Sequence, residues 1–201
     1  MRRPAAVLIL ILSLFMCCSG NRGNIEDATK AYNQGDYKTA YRLIKPLADQ
    51  GLPKAQFDLG AMYDYGEGVP QDDAEAAKWY RKSAEQGYAP AQTNLGMMYE
   101  DGRGIPQDYT EAAGWYRKAA EQGWPTGQGF LGALYTFGTG VPKNDVLAHM
   151  WISLAISGLP PTSEVRKSMR KIRKIISLQM TPAQIAEAQR LAREWIPKKE
   201  R

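Results

Sequence analysis

The side chains that most often do chemistry are scarce in this chain. His149 is its single histidine, and Cys17 and Cys18 are its only cysteines. One imidazole without a thiol or clustered carboxylates nearby completes neither a metal-ligand set nor a histidine-based triad. His149 is therefore read as a solvated or half-buried position, and neither a metal nor a cofactor is expected. Gly66-Glu67-Gly68 does not follow a strand, as a phosphate-cradling loop would, and no nucleophile elbow is present. The carboxylates fall at helix-cap and surface positions. These exclusions argue against an enzyme. Two constellations remain that suit binding. Trp79, Trp115 and Trp151, the first two followed by Tyr80 and Tyr116, offer rings for a carbohydrate platform, but their fixed spacing favours a buried core. Arg166, Lys167, Arg170, Lys171, Arg173 and Lys174 form a dense basic stripe suited to an anionic partner.

A repeat sets the elements that must position these residues. Ala55-Gln56, Leu59-Gly60, Tyr63, Gly66, Gly68, Pro70 and Asp72 return 36 residues later as Ala91-Gln92, Leu95-Gly96, Tyr99, Gly102, Gly104, Pro106 and Asp108. A further step gives Gln128, Leu131-Gly132, Tyr135, Gly138, Gly140 and Pro142, with Asn144 in the Asp slot. The three tryptophans keep the same step, as do Gly51, Gly87 and Gly123. A period in the mid-thirties marks stacked helical hairpins, each unable to bury its apolar face without a neighbour.

Within one unit, Ala55, Leu59 and Tyr63 recur every four residues and line one stripe of a first helix. Gly60 lets a partner helix approach closely; its return at Gly96 and Gly132, against a cost of roughly 1 kcal/mol in a helix interior, implies packing. The Gly66–Pro70 stretch reads as the turn. Asp72 then caps a second helix bearing Ala76, Ala77, Trp79, Tyr80 and Ala84, and Gly87 closes it.

The pattern Ala-x-x-x-Leu-Gly-x-x-Tyr-x-x-Gly-x-Gly-Val-Pro-x-Asp, followed by Ala-Ala-x-Trp-Tyr-x-x-Ala, resembles the Sel1-like repeat, a relative of the tetratricopeptide repeat. It is closest over Pro53 to Gly123 and decays towards Ser157, where Ile152 replaces the second aromatic. The resemblance implies a right-handed all-α solenoid with its first helices along a concave wall. Partner contacts then fall at Lys54, Phe57, Ala61, Asp64 and Tyr65 in the first full unit. The second unit supplies Thr93, Met97, Glu100 and Asp101, and the third Thr126, Ala133, Thr136 and Phe137. Members of the family with reported β-lactam hydrolysis are cysteine-rich, disulfide-bonded forms that this chain does not resemble.

The ends differ from the middle. Arg2, Arg3, the apolar run Ala5–Met16 and the small Ser19-Gly20 have the layout of a secretory signal, and the run is shorter than the about 20 residues a bilayer span needs. Cleavage after Gly20 fits better than a lipidated Cys17 or Cys18, because neither cysteine follows the expected small residue. The mature chain is then expected to be soluble and periplasmic, with a lipoprotein as the alternative. From Asn21 to Leu159 there are 13 Lys+Arg against 17 Asp+Glu, a net of −4, and from Pro160 to Arg201 there are 11 against 4, a net of +7. The basic tail breaks the repeat at Pro160-Pro161. Thr162 or Ser163 can cap a helix with Val165, Met169, Ile172 and Ile176 on one stripe, and Thr181-Pro182-Ala183-Gln184 reads as a capping box before a helix to about Trp195.

The expected organisation is a signal at 1–20, a partial repeat at 21–52, and repeats at 53–88, 89–124 and, degenerate, 125–159. A basic helical cap follows at 160–201. The expected function is that of a monomeric, non-catalytic envelope adaptor that binds a protein or peptide. Two alternatives stand beside it: a hydrolase acting on cell wall or β-lactams, and a tether holding membrane or envelope polymer through the basic stripe. Export makes nucleic acid an improbable partner. A reporter fused behind residues 1–20 is expected to leave the cytoplasm; retention with Met1 intact would defeat the export reading, and a diacylated Cys17 or Cys18 would replace it with a membrane anchor.

Overall fold

Ten helices follow one another through residues 25–198, the part of the chain that the computed structural model describes, and no strand occurs among them. The signal assigned to 1–20, with both cysteines, lies outside the described residues. Helix α1 covers 25–33 and is joined through Gly35, at φ 78°, to α2 (Tyr37–Asp49), whose N-terminus Asp36 caps by accepting from the Thr39 amide. Three hairpins succeed it: α3 (Pro53–Tyr65) with α4 (Asp73–Glu85), α5 (Ala89–Asp101) with α6 (Tyr109–Glu121), and α7 (Pro125–Phe137) with α8 (Asp145–Gly158). Helices α2 to α8 each pack on their neighbours in sequence, so the hairpins stack into an α-solenoid.

The local chemistry repeats with the sequence. Asp72 and Asp108 each accept two amide hydrogen bonds from the first turn of the following helix, and Asn144 accepts one. The first helices have no such side-chain cap and start instead on a proline in their first turn. The carbonyls at the end of the preceding helix are bonded from inside instead: Gln56, Gln92 and Gln128 are buried and donate to those of Ala48, Ala84 and Ala120. Gln86 and Gln122 donate in turn to Gln56 and Gln92 at 2.7 and 2.9 Å, forming a ladder through the stack.

Glycine decides how closely the layers meet. A methyl group built on Gly60 or Gly96 would lie 2.7 or 2.6 Å from the ring of Tyr80 or Tyr116, and one on Gly132 2.6 Å from Ile152. These three glycines seat the second helix of each hairpin on the first. The loop glycines join one hairpin to the previous one. Gly66, Gly102 and Gly138 end their helices in the left-handed region, at φ 70°, 69° and 72°. Two residues on, Gly68, Gly104 and Gly140 press on the backbone carbonyls of Tyr37, Asp73 and Tyr109, where any side chain would overlap the preceding unit.

The stack ends after α8. Gly51, Gly87 and Gly123 turn the chain at φ 89°, 87° and 89° into the next first helix, but Gly158 is the last residue of α8 and does not adopt positive φ. The chain leaves through extended Leu159 into α9 (Glu164–Gln179) and α10 (Pro182–Glu194), both packed on α8. Ser163 caps α9, and the capping box of Thr181 and Gln184 forms in full. On α9, Ile176 is buried and Met169 and Ile172 are half-buried; Val165, expected on the same stripe, is exposed because it precedes the part of the helix that reaches α8.

Three substitutions separate these roles in urea unfolding. Leu95, fully buried, should cost about 2–5 kcal/mol when changed to Ala. Gly104→Ala should also destabilise, through positive φ and overlap with Asp73. Gly114, helical with open space where a Cβ would stand, should instead stabilise by about 0.5–1 kcal/mol as Ala. Equal effects at the two glycines would refute the packing described.

Candidate functional site

At the N-terminal end the first helices do not close over α2. Ala28, Thr29 and Tyr32 of α1, Ala40 and Ile44 of α2, and Lys54, Phe57, Asp58, Ala61 and Met62 of α3 enclose a recess of about 230 Å³. The alternation that puts Leu59 into the core sets Phe57 and Ala61 on the adjoining stripe, where the recess opens. Phe57 is held by ring contacts to Tyr80 and Tyr88, at 5.6 and 5.4 Å between centroids. Lys54 pairs with Asp58 one turn along, at 2.7 Å. Burial raises the Asp58 carboxyl above its ordinary range, and the Lys54 ammonium offsets part of that rise. The walls are apolar, one ion pair marks the rim, and the volume suits one or two apolar side chains of a partner. Tyr32, Thr29 and Asp58 were not among the residues expected here. Asp58 was legible as the residue four after Lys54; the α1 residues were not, since that unit lacks the loop signature that sets the register.

The other expected contact residues divide. Tyr65 and Phe137 are 66% and 74% exposed and, with Asp101, occupy the last position of successive first helices. Met97 is half-buried against the core of the next hairpin, and Ala133, Thr126 and Thr136 are also partly covered. Asp64 and Thr93 are not open surface: they are 6% and 3% exposed. Thr93 donates to the Ala89 carbonyl of its own helix. Asp64 accepts from the Tyr80 hydroxyl at 3.2 Å and from Arg103 of the next unit's loop at 2.6 Å. One repeat later, Glu100 accepts from Tyr116 at 2.7 Å. Burial and the neighbouring carboxylate keep both tyrosines protonated, well above their ordinary range. Where Ile152 replaces the tyrosine, Thr136 replaces the acid. The slot therefore belongs to the scaffold, whose hydroxyl needs an acceptor.

The tryptophans are buried in clusters formed with the preceding unit, so they give no carbohydrate platform. Lys82 and Lys118 cover the rings of Trp79 and Trp115 at 4.1 and 3.8 Å, and Trp195 meets Trp151 edge-on at 5.9 Å. The basic stripe splits. Arg166 donates to the Leu159 carbonyl and Arg173 to the Ser153 hydroxyl, both towards the body, while Lys167, Arg170, Lys171 and Lys174 face outward beside exposed Ile175 and Leu178. His149, expected to be at least half-solvated, is 4% exposed. Burial, helped by the Arg173 charge, lowers its pKa below the usual 6.5. Among the described residues no three His, Cys, Asp or Glu side chains gather as a metal site would require, and no helix is long and apolar enough to cross a membrane.

The Sel1 repeat family model matches residues 53–88, 89–124 and 125–158, more than half of the chain. The chain belongs to the Sel1 repeat family. Its second hairpin, α5 and α6, coincides with one complete Sel1 repeat. It is similar to solved Sel1 structures. One, from Oxalobacter formigenes, is 38% identical, with a TM-score of 0.64 over 66% of this chain and 55% of that one. Another, a protective antigen of uropathogenic Escherichia coli strains displaying an SLR fold, is 30% identical, with a TM-score of 0.77 over 87% of this chain and 37% of that one. Among curated proteins, the chitin synthase regulator SKT5 of Saccharomyces cerevisiae is 42% identical over 48 residues, 24% of this chain. The localization factor PodJL of Caulobacter vibrioides is 44% identical over 55 residues, 27% of this chain. The chain matches only 7% and 6% of the lengths of those two relatives.

The ion pair across the Sel1 units gives a test. Arg103→Ala leaves the buried Asp64 carboxylate without its cation and should cost about 1–3 kcal/mol. Lys78→Ala, which breaks only an exposed pair with Glu75, should cost at most about 1 kcal/mol. Similar losses in chemical denaturation would show that Asp64 is better solvated than described.

Proposed function

We propose that this protein is a non-catalytic adaptor that binds a segment of a partner protein along its first helices, with the recess between α1, α2 and α3 as the anchoring pocket. The observation that carries this reading is the recess itself, an apolar cleft with the Lys54–Asp58 pair at its rim. A half-open apolar and aromatic recess of this kind is what hot-spot side chains fill. Among the described residues the groove is open at this end and filled at the other. The slot of Phe57 holds Thr93 in the second unit and Gly129 in the third, and Met169 of α9 packs where a side chain on Gly129 would stand.

Membership in a family of helical-hairpin repeats supports a binding role, and so do the printed roles of the relatives, a regulator and a localization factor. Nothing in the arrangement of titratable groups among the described residues supports hydrolysis. The layout of residues 1–20 supports action in the periplasm, with a lipid anchor at Cys17 or Cys18 as the alternative. A second contact is favoured by one observation: Lys167, Arg170, Lys171 and Lys174 stand beside Ile175 and Leu178 on the outer face of α9, a composition suited to an anionic envelope surface.

Ala61→Arg should abolish capture of the partner by blocking the recess, while leaving the helical signal and melting temperature nearly unchanged. Lys118→Glu, on a second helix, should leave capture intact. Retained capture by Ala61→Arg would place the binding surface elsewhere on the solenoid.

A further inference from the structure

Two of the places where the last hairpin departs from its own repeat lie one turn apart on α8. The slots of Ala77 and Ala113 hold His149, and those of Arg81 and Arg117 hold Ser153. Arg81 and Arg117 each reach a tyrosine hydroxyl of the next unit, Tyr99 and Tyr135. With no fourth hairpin, Ser153 is short enough to leave a space under the cap. A helix whose only task was to be covered would gain most from apolar residues here. Polar ones are found, and they continue onto the covering helices.

A recess of about 370 Å³ lies between α8, α9 and α10. Each helix gives it a polar pair one turn apart: His149 and Ser153 from α8, Arg173 and Ser177 from α9, Gln189 and Arg193 from α10. No carboxylate lines it. Arg173 donates to Ser153 at 3.3 Å, which occupies the serine oxygen and leaves its proton to give. Neither arginine is paired with a carboxylate among the described residues. His149, more than nine-tenths buried, has no hydrogen-bond partner for Nδ1, and an unmatched buried polar atom is costly.

We propose that this recess binds an oxyanion of the phosphate class. Two guanidinium groups supply the charge, and the Ser153 hydroxyl and the Gln189 amide add uncharged donors, the Ser177 hydroxyl being spent on the Arg173 carbonyl. Donors converging from three helices match a tetrahedral ion, which accepts in several directions, better than a planar carboxylate. A cation is excluded by the charge of the walls.

The single imidazole makes the test direct, because every histidine resonance in the NMR spectrum comes from this recess. Inorganic phosphate added to the chain at fixed pH and ionic strength should shift the His149 signals saturably, and chloride should not. Arg193→Gln, at an exposed position that the fold does not need, should raise the phosphate midpoint at least about tenfold, the worth of one charge-assisted hydrogen bond. Glycerol 3-phosphate, run in parallel, distinguishes a phosphomonoester ligand such as a headgroup from the free ion; saturation by either supports the site. The proposal is overturned if phosphate acts no differently from chloride, if Arg193→Gln leaves the midpoint unchanged, or if acetate binds as tightly as phosphate.

Discussion

The stack depends on three places where no side chain fits. Gly68, Gly104 and Gly140 bring each loop onto the backbone at the start of the previous unit's second helix, against Tyr37, Asp73 and Tyr109. The helix before each loop must end at a fixed residue to deliver the glycine there. That ending is set by the left-handed glycine two positions earlier. The following helix must begin at a fixed residue too, because Asp72, Asp108 or Asn144 caps it within a few residues of the loop. Loop contact, helix end and helix start are thus one constraint. It fixes the 36-residue step more rigidly than apolar burial alone, since a core tolerates repacking more readily than two backbones tolerate an intervening methyl group.

Around that frame the polar groups are satisfied in a repeating way. A buried tyrosine hydroxyl needs an acceptor, and the first helix supplies one a turn after the glycine on which the ring lies. The third unit confirms the logic by losing both partners together. In the first unit the acceptor is also bound by Arg103 from the loop of the next repeat, so one carboxylate joins hairpin closure to stacking. This explains why Asp64, next to the half-open stripe of Phe57 and Ala61, is itself buried.

The two ends of the solenoid solve opposite problems. At the start, among the described residues, α1 leaves apolar residues of α2 and α3 partly open, with Lys54 and Asp58 at the rim. At the finish, α9 and α10 cover α8, Met169 closes the groove at Gly129, and Trp195 packs edge-on against Trp151. The cover is apolar around Ile152, Ile176 and Ala188 and polar around His149. Both recesses therefore lie where the repeat is imperfect, since a perfect interior unit uses its surfaces on its neighbours.

The hairpins, their caps, the buried tryptophans and the capping box before α10 could all be read from residue order, because each rests on interactions within a few residues or on an exact repeat of them. The family could be read for the same reason. The burial of Asp64, Thr93 and His149 could not: the amino-acid type at those slots changes from unit to unit, and whether water reaches them depends on helices and loops distant in sequence, 39 residues away for Arg103. The basic stripe read as one face because its residues are dense, and only the packing of α9 on α8 turned Arg166 and Arg173 inward. The recess near Tyr32 was hidden as well, since α1 lacks the loop that marks the register. Local sequence determines which helices form and how they repeat. Tertiary contact alone decides which polar groups lose their water, because desolvation is a property of the assembled neighbours.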